Sequence, residues 1–454
     1  MLLDVLGRYA AQTRMETPAS DVLHDAKRAV IDWFAAMLPG TSEPAAANLR
    51  AALAEEIGRG RAIVYGTLER APTRVAALLN GTASHITEFD DIFRDGVYHP
   101  GSPTVAAALA AAQTQRVGGL DLLRGIIVGY EISTRIAAAM VPAHYRFWHT
   151  TGTVGTFGAA AAAATILRAD PRQFAHAMAT AATMAAGLQQ GFRSDSMSKP
   201  LHAGHAAEAG VLAALAAVHG FTGALDIVEG EAGFGRAMGP DPDWNAAFAD
   251  LGKVHNISRM TVKNHGCCGH TFAAIDGAKT LQARHGLASG DITRIEIATY
   301  GTALKVAGLR SVETPFQGKF SLPYVVATAL VHGNARSDAF RSDRLRDAAA
   351  QELMQRIALA VDPELDACFP KQRAARVTIE TRDGRRFTHL QHTRKGDPDD
   401  PLSDSELDEK FLELASPVLG QADAQRALAE LHRLDMREDC DLLTPSRKPA
   451  RHVA

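Results

Sequence analysis

Residues 84–103 read SHITEFDDIFRDGVYHPGSP. Two histidines, His85 and His99, stand here with four acids, Glu88, Asp90, Asp91 and Asp95. The stretch before it, RVAALLNGTA at 74–83, is almost free of charge, and so is TVAAALAAA at 104–112 after it. Small and aliphatic residues at helical spacing predict a buried helix on each side. Charge this dense between core helices is costly to bury unless it is paired or used. The chain therefore reads as helix packed on helix, with polar islands where the chemistry is placed.

Outward from this island the same pattern repeats. Helices are predicted over 21–38, 43–57 and 71–83, and beyond it over 104–115 and 120–140. A short β-like piece, AIVY at 62–65, is the one strand signal in this half. The run HTTGTVGTFGAAAAAA at 149–164 opens a nearly pure alanine helix. Asp170-Pro171 then supplies an N-cap and a first-turn proline for a further helix, read as continuing through 175–188. A second island, QQGFRSDSMSKPLHAGHAAEAG at 189–210, leads into a helix over 205–219, and a short capped helix is expected over 226–234.

The pattern changes after about residue 263. DITRIEIATY at 291–300 alternates as a strand with one buried face. ARVTIET and FTHLQ flank Asp383-Gly384 as a hairpin. Helices are expected over 271–285 and 322–332, a Pro/Asp-rich linker over 396–403, and helix again over 404–434. The fold class is mainly α: a large all-helical domain from both chain ends, 1–265 and 396–454, with a smaller α+β domain, 266–395, inserted. The C-terminal helices are too few to fold alone and are expected to rejoin the first part.

Composition bounds the partners. In 454 residues the hydrophobic content is 46% and the net charge −3, so no basic surface points to nucleic acid or an anionic membrane. The alanine-rich stretch near 155–167 is too short to span a bilayer. Four cysteines suit a reducing, cytoplasmic setting.

Four constellations could carry chemistry. The opening island offers acid–base groups, and His-Pro-Gly at 99–101 fixes a turn that could aim an imidazole inward. His149 precedes a Thr/Gly-rich helix start, including Thr150, whose free N–H groups make a natural carboxylate seat; ordinary capping explains it equally well. Arg193, Lys199, His202 and His205 gather cation-capable groups that would suit an anion or form an ion-pairing loop. His265-Gly-Cys-Cys-Gly-His270 admits a metal reading, a nucleophilic Cys268, a catalytic His270, or a buried cysteine pair with a capping histidine. No phosphate-binding glycine loop and no nucleophile elbow occur.

Taken in order, HITEFDDIFRDGVYHPG, HTTGTVGTFGAA, SMSKPLHAGHAAEAGVLAALAAVHGFTG and CCGHTFAAIDG with GKFSLPY resemble the MmgE/PrpD superfamily. That superfamily includes 2-methylcitrate dehydratase, cis-aconitate decarboxylase and iminodisuccinate epimerase. The resemblance covers nearly the whole chain. It implies that the smaller domain is a lid, that the protein is a homodimer, and that no metal or organic cofactor is used. It also implies a site around a small polycarboxylate, with the family histidines falling on His99, His149 and His270, the lysine on Lys199 and the tyrosine on Tyr324. The family acid falls on Glu88, one methylene longer, and a family threonine is replaced by Ile92.

The expected activity is that of a cofactor-independent lyase or isomerase, most simply a dehydratase. Epimerisation, decarboxylation, or carboxylate binding without catalysis are the alternatives. Lys199, with Arg193, would hold a carboxylate, His149 or His270 would be the base and His99 the acid. Asp90 or Asp91 would orient a histidine, and Glu88, Thr150, His202 and Tyr324 would contact the substrate.

Overall fold

A computed structural model describes residues 1–192 and 196–444. Helix accounts for 60% of the chain and strand for 9%, so the class is mainly α.

The first part is a stack of helices: α1 (Leu2–Met15), α2 (Ser20–Gly40), α3 (Pro44–Ala52), α4 (Thr73–Ile86), α5 (Gly101–Gln115), α6 (Gly119–Met140), α7 (Thr150–Ile166), α8 (Pro171–Thr183) and α9 (Ser198–Val218). Every residue of α7 is buried. Its alanines and glycines explain how: side chains this small let helix axes approach closely. The crossing of α4 and α9 is the tightest that bears on function. A Cβ on Gly204 would lie 2.1 Å from Thr82 Oγ1 and 2.3 Å from Leu78 O. Only glycine permits that approach, and it brings the C-terminal end of α4 against the N-terminal turn of α9. α9 has the length and apolarity of a membrane span, yet it packs against α4, α7 and α8 inside the core.

α8 starts as its sequence requires, with Asp170 capping Arg172 and Gln173 in a full capping box and Pro171 in the first turn. Several elements differ from expectation. α3 stops at Ala52. The β-like piece is half of a two-stranded hairpin, β1 (Ala62–Val64) against β2 (Glu69–Ala71). The short helix expected over 226–234 lies instead at Phe234–Met238. Helix α9 begins at Ser198, so Lys199 and His202 are helical and not in a preceding loop.

One hydrophobic core gathers residues from Leu3 to Ile257 and again from Leu407 to Leu442. A second gathers residues from Cys267 to Ile379. The C-terminal helix Asp404–Leu419 lies on α2, burying Leu407, Phe411 and Leu414. It also carries Lys410, whose ammonium reaches Asp32 of α2 and Phe89 O. The 404–434 segment is two helices, broken at Gly420, which takes a φ of 82°.

The second core lies on a four-stranded sheet ordered β4-β3-β5-β6, from β3 (Ile292–Thr299), β4 (Ile357–Val361), β5 (Ala375–Thr381) and β6 (Arg386–Gln391). β3 runs parallel to β4 and antiparallel to β5, with Ile295 opposite both Ile357 and Ile379. The helix Phe272–His285 covers β5 and β6. The Pro/Asp stretch after the sheet is no free linker: Asp397 is buried and accepts two bonds from Arg394, at 2.8 and 2.6 Å.

Candidate active site

A small cavity of about 80 Å³ lies where the two cores meet. Glu88, His99, His149, Lys199 and His270 line it, from four separate stretches of sequence. An open cleft of about 730 Å³ also has Glu88 and Lys199 in its lining.

Glu88 follows the end of α4 in a left-handed conformation, φ 59°, which costs a non-glycine residue about 1–2 kcal/mol. Cations hold it there. Its carboxylate pairs with Lys199 from α9, and Lys263 donates to its carbonyl at 2.8 Å and stands 3.7 Å from Oε2. Burial would raise the Glu88 pKa, but Lys199 and Lys263 pull it well below the usual range.

Asp90 organises the histidines. Its Oδ2 lies 2.6 Å from His85 Nδ1, 3.3 Å from His99 Nδ1 and 2.9 Å from the donating hydroxyl of Ser102. Burial works against ionisation, yet His85, His99 and Lys263 hold the Asp90 carboxyl well below its ordinary pKa. Burial lowers His99 to about 4 although Asp90 opposes the shift. Asp91 faces the other way. It accepts from Gly101 N–H at 3.0 Å and Tyr130 O–H at 2.8 Å, so it anchors the helix start behind His99 and touches no histidine. Burial, reinforced by Asp32, raises it to about 7.

His149 caps the start of α7 in the chain sense, with its N–H bonded to Gly187 O. Its ring stacks on His85 at 5.5 Å, and its Nδ1 faces that of His202, which stands behind it. Burial, then His85 and Lys199, push His149 well below 6.5, and burial takes His202 to about 4. Thr150 is fully buried but does not line the cavity.

His270 enters from the second core, on a turn whose Gly269 carbonyl accepts from Arg394 at 2.8 Å. Its Nδ1 lies 2.7 Å from the Tyr300 hydroxyl. Burial keeps Tyr300 a phenol, at about 12. With the phenol donating to Nδ1, His270 Nε2 carries the ring hydrogen. Burial, with Arg373 and Arg394, drives the His270 pKa well down.

The other expected residues lie elsewhere. Tyr324 is buried in the second core and donates to Ala339 O. Its expected substrate contact is absent from this cavity. Arg193 falls outside the described residues. Sequence reasoning missed Lys263, Arg373, Tyr145 and Tyr300. Lys263 stands in TVKNHG, between Val262 and Asn264, where nothing local marks it as buried. Arg373 sits in KQRAAR, which resembles any solvated basic loop.

His85, Asp90 and His99 bring ligand atoms within 4.8 Å of one another, the spacing a metal site needs. Lys263 already places its ammonium 3.6 Å from Asp90 Oδ1, so this carboxylate has a cation of its own. The cysteines do not offer thiolates. Burial lifts Cys267 to about 12 and also raises Cys268, and Cys267 Sγ lies 3.2 Å from the Thr271 hydroxyl. His265 is tied to Asp276 at 2.9 Å. The arrangement suits proton transfer beside a bound anion: imidazoles held neutral, one aimed by a carboxylate, one acting as a donor, next to an ammonium.

Residues 4–247 match the MmgE/PrpD N-terminal domain and residues 265–436 the MmgE/PrpD C-terminal domain. A cis-aconitate decarboxylase-like protein of Aspergillus oryzae is 28% identical over 436 residues, covering 90% of this chain and 89% of that protein. Human cis-aconitate decarboxylase is 28% identical, covering 83% and 79%. The Aspergillus terreus enzyme is 24% identical, covering 91% and 89%.

Proposed function

The chain belongs to the MmgE/PrpD family, and from that premise we propose that it is a cofactor-independent lyase which removes water from a small di- or tricarboxylate. One observation carries the reading: three imidazoles and an ammonium, brought from four distant stretches, line a single small cavity.

The tautomers suggest the roles. With its ring hydrogen on Nδ1, 3.3 Å from Asp90 Oδ2, His99 presents Nε2 as the base toward the cavity. His99 Nε2 takes the proton from the carbon next to a carboxylate. The electron pair moves onto that carboxylate, where Lys199 stabilises the developing charge. The neighbouring C–O bond then breaks. His270 Nε2–H donates a hydrogen bond to the leaving oxygen, and His99 returns its proton there, so that water departs. This exchanges the roles first expected for the two rings. The smaller sheet-bearing unit acts as a lid, since it carries His270 and Arg373 to a cavity whose other wall, with His99, His149 and Lys199, belongs to the helical part.

Dehydration is favoured over decarboxylation by the charge state of the rings. With His99 and His202 at about 4 and His149 and His270 also low, the site holds bases at neutral pH and little imidazolium. A decarboxylase needs an acid to protonate the carbanion left by CO₂. Decarboxylation is the second reading, because the similar proteins named above are cis-aconitate decarboxylases.

The test is proton NMR in deuterated buffer with citrate, 2-methylcitrate, cis-aconitate and iminodisuccinate. A new alkene with no CO₂ released supports the proposal. Release of CO₂ selects the second reading, and deuterium uptake without an alkene would mean epimerisation. If none of the four is converted or bound, the enzymatic reading fails.

A further inference from the structure

Six cationic side chains are buried among the described residues: Arg135, Lys199, Lys263, Arg373, Arg394 and Lys410. Five of them face a carboxylate within the protein: Glu131, Glu88, Asp90, Asp397 and Asp32, respectively. Arg373 is the exception. It is 6% exposed. One terminal nitrogen donates to Arg94 O at 3.3 Å, and Nε has no partner among the described residues. The guanidinium lies over the Phe369 ring at 5.9 Å, a weak substitute for a counter-ion.

A buried guanidinium without a carboxylate is unfavourable. The surroundings make it worse, since burial and the nearby Arg394 together lower its pKa to about 10. Arg373 lines the same cavity as His270 and Tyr145, on a wall contributed by residues outside the helical core. At the other wall Lys199 is already engaged by Glu88. Of the three cations that line the cavity, Lys199 faces Glu88 and Lys263 faces Asp90, which leaves Arg373 as the one unmatched.

We propose that Arg373 is the seat for a second carboxylate of the substrate, remote from the one that Lys199 stabilises. The inference rests on the polycarboxylate reading above and narrows it. The ligand must carry at least two carboxylates, one gripped by a fork of guanidinium N–H groups from the sheet-bearing unit and one by the ammonium of α9. A planar fork suits a carboxylate better than a point charge does. Arg373 would then select for acids of sufficient charge and length, and a monocarboxylate would leave the guanidinium unpaired.

The experiment is calorimetric titration of the full chain with propane-1,2,3-tricarboxylate, which has neither hydroxyl nor double bond to react, and with butanoate. Native protein, Arg373→Gln and Arg373→Lys are compared, each with its melting temperature in the absence of ligand. The native protein should prefer the tricarboxylate. Arg373→Gln should bind it about 10- to 100-fold more weakly, and Arg373→Lys should fall between. Loss of an unpaired buried cation should leave the melting temperature of the Gln variant unchanged or higher. Tricarboxylate binding by Arg373→Gln within twofold of native would overturn the assignment while leaving the polycarboxylate reading intact. Unfolding of both variants would make Arg373 a structural cation and overturn it too. No binding of any acid to native protein would remove the polycarboxylate reading and this inference with it.

Discussion

Nδ1 of His149 lies 3.0 Å from Nδ1 of His202. One of these nitrogens must carry the hydrogen and the other must accept it, so the two rings are held in opposite tautomers. His202 does not line the cavity, but it fixes which face His149 turns toward a substrate. His202 is also among the groups that hold the His149 pKa down, after burial, His85 and Lys199. His202→Ala should lower kcat by about 10- to 100-fold, short of a full general-base contribution, with KM little changed. Where turnover requires His149 neutral beside the substrate, the acid limb of the kcat/KM profile should move to higher pH as the influence of His202 is removed. An unchanged profile would show that the pair has no part in turnover.

Asp90→Asn should do the opposite to the acid limb. The carboxylate is the main influence raising the His99 pKa against burial, so its removal lets that pKa fall further. The amide can also present N–H toward Nδ1 and favour the wrong tautomer. A loss of about 10³- to 10⁴-fold in kcat is expected, as when a histidine loses its orienting carboxylate. The pH profile is the deciding measurement, since a merely unfolded fraction would lower the rate without moving the limb.

The balance between what the sequence revealed and what it hid follows from chain locality. His99, His149, Lys199 and His270 stand in polar islands between alanine-rich helices, and such contrast is visible in one dimension. Lys263 and Arg373 acquire meaning only through burial, which no local pattern announces for a cation. β4 carries no separate strand signal, because IALAV is short and follows one residue after the helix Ala348–Gln355. Its parallel pairing to β3 is a long-range choice. SKPLH is polar and puts the expected start of α9 at about residue 205, whereas the helix begins at Ser198.

Asp91→Asn tests the buried acid behind His99. Asp91 ionises near 4 when unfolded and at about 7 in the fold. Between these values the folded protein keeps a proton that the unfolded chain has lost. Its contribution to stability therefore falls as pH rises from about 4 to about 7, and levels off above that. His99 and His202 act in the reverse direction, since their pKa values are depressed to about 4. Only the difference between native and variant isolates Asp91. Urea unfolding at pH 5 and pH 8 should show the variant gaining about 2–3 kcal/mol relative to native across that interval. Equal pH dependence in the two proteins would mean Asp91 is ionised throughout.

Glu88 and Lys199 allow stability to be separated from chemistry. Their pair is buried and shared with Lys263. Removing one partner of such a pair costs about 3–5 kcal/mol, and the second lysine near Glu88 should reduce that for Lys199→Met. Glu88→Gln leaves Lys199 and Lys263 facing each other across a neutral amide and should destabilise more. The double variant Glu88→Gln with Lys199→Met removes both charges, and its unfolding midpoint should recover toward native. Turnover should not recover, because the ammonium that stabilises the developing negative charge is gone; a loss of about 10²- to 10³-fold or more is expected. Differential scanning calorimetry and steady-state rates on the same four proteins decide the matter. A double variant that regains activity along with stability would show that Lys199 serves the fold alone.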